Sequence, residues 1–340
     1  MKSPNGLGYR MPAEWEKHRA TWISWPKDPG TFPGEVLPRV EAAYSRMVQE
    51  LSKGEEVRIL VNDPYWEGRA QRALGRVENV VFHHVKTVDV WTRDYGPICV
   101  TDGKALAATK WRFNAWGGKY EDLLPDDGAG EKLAELSAPV VFRQETVLEG
   151  GSIDVDGKGT LLTTEQCLLN PNRNPRMSRL EIEALLKANL GASKTIWLKN
   201  GIEGDDTDGH VDDIARFVSG RRVVVAEERA EGDANRSPLD DAASIIENST
   251  DHEGKDLELV RIPMPARVDA PDGRLPASHA NFYIGNAAVI VPTFGGKSDR
   301  VVLDVLAREF PTRETVGVDC RALVHGLGTI HCVTQQVPAV

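Results

Sequence analysis

Trp91-Thr92-Arg93-Asp94-Tyr95-Gly96-Pro97-Ile98-Cys99-Val100-Thr101-Asp102-Gly103-Lys104-Ala105-Leu106-Ala107-Ala108-Thr109 is the stretch that decides the fold. A polar, glycine-bearing turn opens onto an apolar run at 98–101, an Asp-Gly pair breaks that run, and a second run follows at 105–109. Asp-Gly between apolar runs is a strong hairpin signal, because the favoured two-residue turn needs a left-handed backbone that these residues tolerate. The unit recurs. Glu149-Gly150-Gly151 opens onto 152–155, Asp156-Gly157 and 160–163. Asp208-Gly209-His210-Val211-Asp212 opens onto 214–218, Ser219-Gly220 and 223–226. Ser278-His279-Ala280-Asn281 opens onto 282–284, Gly285-Asn286 and 287–291. A fifth opening, 326–332, runs into a short β-like stretch that lacks a return half.

Helical patterns fall between these units. Residues 38–51 place Val40, Ala43, Tyr44, Met47 and Leu51 at helical spacing, with Gly54 where a C-terminal cap belongs. Residues 178–190 begin with a capping box, Ser178 and Glu181, and end before Gly191. Residues 300–310 follow Ser298 and stop at Pro311. Further strands are expected at 21–25, 56–61 and 77–85. Strands and helices alternate, so the class is α/β. A period of roughly 60 residues suggests radial repetition about an axis. The strand at 21–25 has no hairpin mate and neither does the fifth unit, so the two are expected to pair and close the ring. Long loops at 227–238 and 263–276 are expected to rim the site.

Among 340 residues, 51 Asp+Glu outnumber 41 Lys+Arg, for a formal charge of -10. That balance argues against a nucleic-acid partner, which needs a basic face, and suits a site that attracts small cations. No apolar run approaches the roughly 20 residues of a membrane span. The start, Met1-Lys2-Ser3-Pro4-Asn5-Gly6, shows no hydrophobic export signal, and the four cysteines show no C-x-x-C spacing. Thiols and a cytoplasmic protein are the expectation.

Several residues could do chemistry. Cys332 follows Gly326-x-Gly328 and adjoins His331, which reads as a nucleophile; a buried structural thiol has the same composition, and Cys99, Cys167 and Cys320, in apolar runs, take that reading. As neighbours on a strand, His331 and Cys332 would face opposite ways, so His331 is not expected to be the base. His210 and Asp212, two apart on an expected strand, would share a face. Asp205, Asp206, Asp208, Asp212 and Asp213 crowd one turn, a density of like charge that is unfavourable unless water or a cation is present. Trp91 beside Asp94 could flank a planar cation by face and edge, or could equally be a core ring with a capping carboxylate. Glu149 before two glycines is either a site carboxylate or an ordinary bulge. The spacing of His, Asp and Cys matches no familiar zinc pattern, and there is no phosphate loop or dinucleotide fingerprint, so neither metal nor organic cofactor is expected.

Taken in order, these segments resemble the agmatine deiminase family, which includes bacterial peptidylarginine deiminases. The resemblance runs from Met11-Pro12-Ala13-Glu14-Trp15-Glu16-x-His18 through Trp91-x-Arg93-Asp94-x-Gly96-Pro97, Phe113-Asn114-Ala115-Trp116-Gly117-Gly118 and Leu148-Glu149-Gly150-Gly151. It continues in Cys167-Leu168-Leu169-Asn170-x-Asn172-Arg173-Asn174-Pro175, Asp206-Thr207-x-Gly209-His210-x-Asp212, Asn281-Phe282-Tyr283 and Ile330-His331-Cys332-x-Thr334-Gln335-Gln336. It implies one catalytic domain over 1–340, a pentein-type five-bladed α/β propeller of ββαβ modules, and a possible homodimer. It also implies hydrolysis of agmatine to N-carbamoylputrescine and ammonia through a covalent amidino-cysteine. Carried over, Cys332 is the nucleophile, His210 the acid/base, and Asp94 and Asp212 grip the guanidinium, with Trp91, Glu149 and Asp206 as further substrate contacts. Rival outcomes are deimination of free or peptidyl arginine, with Arg112, Arg173 or Arg176 available to meet an α-carboxylate, amidino transfer to an amine, or non-catalytic binding of a guanidinium compound. The chain departs from the family at Leu327 and Thr329, where Gly-Gly-Gly-Asn is usual, and at His279, where Tyr is usual. These departures bear on how the far end of the substrate is held.

Overall fold

The computed structural model describes residues 2–271 and 273–340, so Met1, and Asp272 within the expected loop 263–276, lie outside the described residues. It is an α/β structure built from one repeated connection. An antiparallel hairpin is followed by a helix, which returns the chain to a strand parallel to the second one. Ile98–Thr101 and Leu106–Arg112 pair antiparallel, helix Asp126–Ser137 crosses over, and Val140–Val147 adds in parallel. The same path joins Ile153–Val155, Thr160–Thr164 and Lys194–Leu198 around helix Arg179–Leu190. It joins Ala215–Ser219, Arg222–Glu227 and Glu258–Pro263 around helix Arg236–Glu247. It also joins Tyr283–Ile284, Ala288–Thr293 and Glu314–Asp319 around helix Lys297–Glu309.

The four-stranded sheet is assembled from strands near both ends of the sequence. Gln335–Pro338 pairs antiparallel with His18–Ser24, which pairs in parallel with Glu56–Val61, and that with Val80–His84. The expected pairing of the two unmatched strands is therefore present, within one open sheet; no described sheet closes on itself. His18–Ser24 lies inside this sheet, and its Trp22 and Ile23 are fully buried, as is Trp25 just beyond it. They pack with Val40, Tyr44 and Met47 from helix Leu37–Leu51.

Local chemistry explains most element ends. Ser178 accepts from the backbone of Glu181, whose side chain returns to the Ser178 backbone, and Gly191 ends the helix at φ 78°. Gly54, expected as a cap, has another role: a Cβ there would lie 2.6 Å from the backbone nitrogen of Ala287, so it permits two segments to touch, while Ser52 takes the cap position. The helix expected at 300–310 starts earlier, at Lys297, because Asp299 accepts from the backbone of Gly295 and Gly296. The loop 263–276 carries a short ladder, Asp269–Ala270 with Gly273–Arg274. No helix among the described residues is long and apolar enough to cross a membrane.

One difference matters most for the site. His210 and Asp212 were expected on a strand, and Cys332 on a β-like run. Val211–Asp213 is instead a 3-10 turn with His210 at its start, and the strand begins at Ala215. Cys332 lies in a turn before Gln335–Pro338. The polar residues thus sit on the turn that enters each module, along with Asp94 on Thr92–Tyr95, Glu149 before Gly150–Ser152, and Asn281 before Tyr283–Ile284. A carboxylate or imidazole mid-strand would interrupt apolar packing; on an entry turn it can aim at a common centre.

Candidate active site

The five entry turns are tied to one another through their backbones and polar groups. The Arg93 backbone donates to the carbonyl of Cys332 at 3.2 Å, and the His331 backbone donates to that of Asn281 at 3.1 Å. The Gly151 backbone donates to Asp94 Oδ1 at 3.2 Å. Gly151 is the tightest point. A Cβ there would lie 2.6 Å from His210 Nδ1, 2.9 Å from Asp212 Oδ2 and 3.0 Å from Asp94 Oδ1. Only a residue without a side chain lets an imidazole and two carboxylates converge at that spot.

A cavity of ≈ 280 Å³ leads to this centre. Its lining includes Trp91, Asp94, Trp116, Asp206, Leu327 and Cys332. Cys332 is 7% exposed, and its Sγ accepts a hydrogen bond from Asn281 Nδ2 at 3.1 Å and lies 3.8 Å from Asp212 Oδ2. Burial, then the negative charges of Asp212, Asp213 and Asp94, push its thiol well above the ordinary range, so in the empty site the sulfur is protonated. Asp94 accepts from Trp116 Nε1 at 3.0 Å, and His210 Nδ1 lies 3.8 Å from its Oδ1. Burial pushes the Asp94 carboxyl up to about 6, aided by Asp212 and Glu149 and opposed by His210.

His210 and Asp212 do not line the cavity but adjoin residues that do: Asp212 Oδ2 lies 3.8 Å from the Cys332 sulfur and His210 Nδ1 3.8 Å from Asp94 Oδ1. Both ring nitrogens of His210 are buried without a hydrogen-bond partner. Burial works against its charge, but Asp94, Cys167 and Asp212 together hold the imidazole well above its ordinary range. Asp212 Oδ2 faces His331, while Oδ1 is buried and unpartnered. Such an oxygen costs free energy unless a donor arrives.

The remaining candidates divide. Trp91 forms a wall of the cavity and is fixed by donating from Nε1 to Asp89 Oδ2 at 2.9 Å. Gly328 lies against it; a Cβ there would come within 2.5 Å of the Trp91 ring. Asp206 lines the cavity and accepts from the Tyr120 hydroxyl at 2.5 Å. Glu149 is fully buried and does not line it: Oε1 accepts from Arg173 Nε at 2.6 Å. Donor atoms of Glu149, Cys167 and His210 fall within 4.8 Å of one another, so Cys167 is a neighbour of the imidazole as well as a core thiol. Asp28, Asp89 and Asp122 add carboxylates to the lining, and among the described residues no lysine or arginine does. Arg173 is spent on Glu149 and Asp208.

Of the three departures, Leu327 alone reaches the cavity, and it does so at φ 68°. Thr329 donates to Asn281 Oδ1 at 2.8 Å, and His279 is buried away from the cavity, against the Pro292 carbonyl and Ser298. Sequence reasoning passed over Asn281 as a site residue. It was quoted at the head of the fourth unit, and its position there, matching Asp94 and His210 in theirs, was the available signal.

Fold and site together define an α/β protein with a buried centre of cysteine, histidine and carboxylates at the entry turns of repeated modules. The chain belongs to the Porphyromonas-type peptidyl-arginine deiminase family, whose sequence pattern matches residues 10–338. It is 37% identical to an agmatine deiminase of Stutzerimonas stutzeri, over 99% of this chain and 97% of that one. Among solved structures, it resembles the agmatine deiminase of Enterococcus faecalis with a TM-score of 0.90 at 32% identity, covering 99% of this chain and 98% of that one. It also resembles a Campylobacter jejuni agmatine deiminase solved with substrate bound as a cysteine-to-serine variant, with a TM-score of 0.86 at 30% identity and 96% of each chain covered.

Proposed function

We propose that this protein is an agmatine deiminase, a hydrolase of C–N bonds in linear amidines that converts agmatine to N-carbamoylputrescine and ammonia. The observation that carries this reading is the cavity: a thiol and several carboxylates in its described lining, and no lysine or arginine. The aligned relatives named as agmatine deiminases support it.

The reaction follows from the residues. A guanidinium stays charged below about pH 12 and is a poor electrophile because that charge is delocalised. Asp94 and Asp212 accept its N–H groups and turn its central carbon toward sulfur, with Trp91 along its face. The arriving positive charge offsets the carboxylates that keep Cys332 protonated, so the thiol loses its proton to solvent as substrate binds. The thiolate adds to the central carbon. His210, held as imidazolium, gives its proton to one nitrogen, the C–N bond breaks and ammonia leaves. An S-linked amidino-cysteine remains. Neutral His210 then takes a proton from water, whose oxygen adds to the same carbon. The C–S bond breaks with sulfur leaving as thiolate, the ureido product departs, His210 keeps the first water proton, and the second passes to solvent, where the ammonia already released takes it up as ammonium. Glu149 has a carboxylate oxygen within 4.8 Å of an imidazole nitrogen of His210, but it is paired with Arg173 and takes no proton.

Free or peptidyl arginine would bring an α-carboxylate or a peptide group to the rim. Asp28, Asp89, Asp122 and Asp206 suit an amine there instead. Leu327 presses an apolar side chain on the same channel, which suits a methylene chain. Ammonia release from agmatine, arginine and an arginine peptide tests the assignment. Turnover of agmatine alone, abolished in Cys332→Ser, is the expected result; preference for arginine or its peptide would replace it. We further read the five modules as blades of one pseudo-symmetric propeller, with the site on its axis.

A further inference from the structure

His331 adjoins the nucleophile yet faces elsewhere. It is 1% exposed, and each ring nitrogen meets a carboxylate: Nδ1 lies 2.7 Å from Asp212 Oδ2 and Nε2 2.8 Å from Glu14 Oε2. A carboxylate oxygen can only accept, so two such contacts require both nitrogens to donate. Both acids are held ionised. Burial opposes the charge of Glu14, but Arg216, His331 and Arg93 outweigh it and keep the group well below its usual range. Burial likewise opposes Asp212, and the His331 hydrogen bond leads the contributions that hold it low.

Glu14 cannot swing away from this contact. Its Oε1 accepts from the Ile284 backbone at 2.8 Å and lies 2.9 Å from Arg216, and its Oε2 accepts from Arg93 at 3.3 Å. Three distant parts of the chain therefore meet: the segment before the first strand, the third entry turn and the fifth. The effect on Asp212 is specific. Its Oδ2 is committed to His331, and its Oδ1 alone is left over, buried and unpartnered.

We propose that His331 and Glu14 are a positioning pair that holds Asp212 as an oriented carboxylate, leaving one oxygen for the guanidinium. This rests on the reading of Asp212 as a substrate ligand. His331 touches no reacting atom; it acts through Asp212. The other titratable and charged groups around Asp212 are His210 and Arg216 on the positive side and the carboxyls of Asp94 and Asp213 on the acidic side, with the uncharged Cys332 thiol beside them.

Two measurements test this on the full chain. The first is the ¹⁵N spectrum of ring-labelled protein at neutral pH, compared with a His331→Gln variant to assign the signals. Two protonated nitrogens on His331 are expected; a single protonated nitrogen overturns the proposal. This readout needs no substrate, so it stands apart from the assignment of agmatine. The second is the pH dependence of kcat/KM for Glu14→Gln, a near-isosteric change. An amide can donate to Nε2, which leaves His331 a single proton and Asp212 without its fixed cation. The Asp94 carboxyl, pushed up to about 6 by burial, is expected to set the acid limb of the unaltered enzyme. Glu14→Gln is expected to add a second titration, so the limb steepens and moves up, with kcat/KM reduced about tenfold more at pH ~5.5 than at pH ~8. A uniform loss at every pH, or a profile that superimposes on the unaltered one, overturns the proposal. If the unaltered enzyme releases no ammonia from agmatine, the functional assignment fails, and the spectrum still decides the charge on the pair.

Discussion

Gly151 carries the sharpest prediction at the scale of single residues. A methyl group at this position has nowhere to go between His210, Asp212 and Asp94. Gly151→Ala is expected to lower kcat/KM by about 100-fold, since displacements near 1 Å cost that much in a preorganised site. Steady-state kinetics beside a thermal melt would separate this from unfolding. Asp94 gives a second prediction. Its folded value, about 6, lies above the ordinary carboxylate range, so the empty fold binds this proton more tightly than the unfolded chain does. Ionising Asp94 therefore lowers stability as pH rises toward that value, and the loss is complete above it. A guanidinium ligand reverses the strain only where the carboxylate is charged. The rise in Tm on adding agmatine to Cys332→Ser should be larger at pH ~7.5 than at pH ~5; equal rises would contradict the shift. A close approach of chain at Cys332 was legible from the two glycines before it, and Gly328 does lie against Trp91 and Cys332. The work of Asn281, Thr329 and His331 was not, because it lies in contacts between turns far apart in sequence.

Elements tell a more mixed story. Hairpins could be read from their Asp-Gly and Gly-Asn turns, and helix Arg179–Leu190 from its cap, because these signals are local. Only His210, Asp212 and Cys332 were placed on strand, because apolar residues such as Val211 and Ile330 flank them, and alternation alone cannot separate a short turn from a strand; the turns at 91–97 and 149–151 were read as turns. The pairing of His18–Ser24 with Gln335–Pro338 was inferred from the lack of partners, and it yields a test. Removing residues 1–25 takes out an inner strand with Trp22, Ile23 and Trp25. At ~1.5–3 kcal/mol for each large apolar side chain, their burial is worth roughly 5–9 kcal/mol, comparable to the whole stability of a domain. The truncated chain is expected to lose its cooperative melt by circular dichroism; a melt like that of the full chain would contradict the strand's role.

For the molecule as a whole, the charge of -10 and the acidic channel act together. Raising ionic strength from about 0.01 to 0.1 M shortens the screening length from ~30 to ~10 Å. KM for agmatine should rise while kcat holds, because the long-range field gathers the cation and the buried contacts at the centre are screened far less. An unchanged KM would show that the field plays no part in capture. Composition gave the sign of this field, and the entry turns give it a focus.

The same architecture dictates when reactivity can arise during biosynthesis. The turn bearing the sulfur leads into Gln335–Pro338, and that strand docks on one made some three hundred residues earlier. A ribosome that has delivered the first four modules has delivered the acids and the imidazole but not Cys332. Cys332 follows those modules in the chain and its turn is held by a strand that pairs with His18–Ser24, so a chain translated short of residue 332 lacks the sulfur that the acids and the imidazole surround.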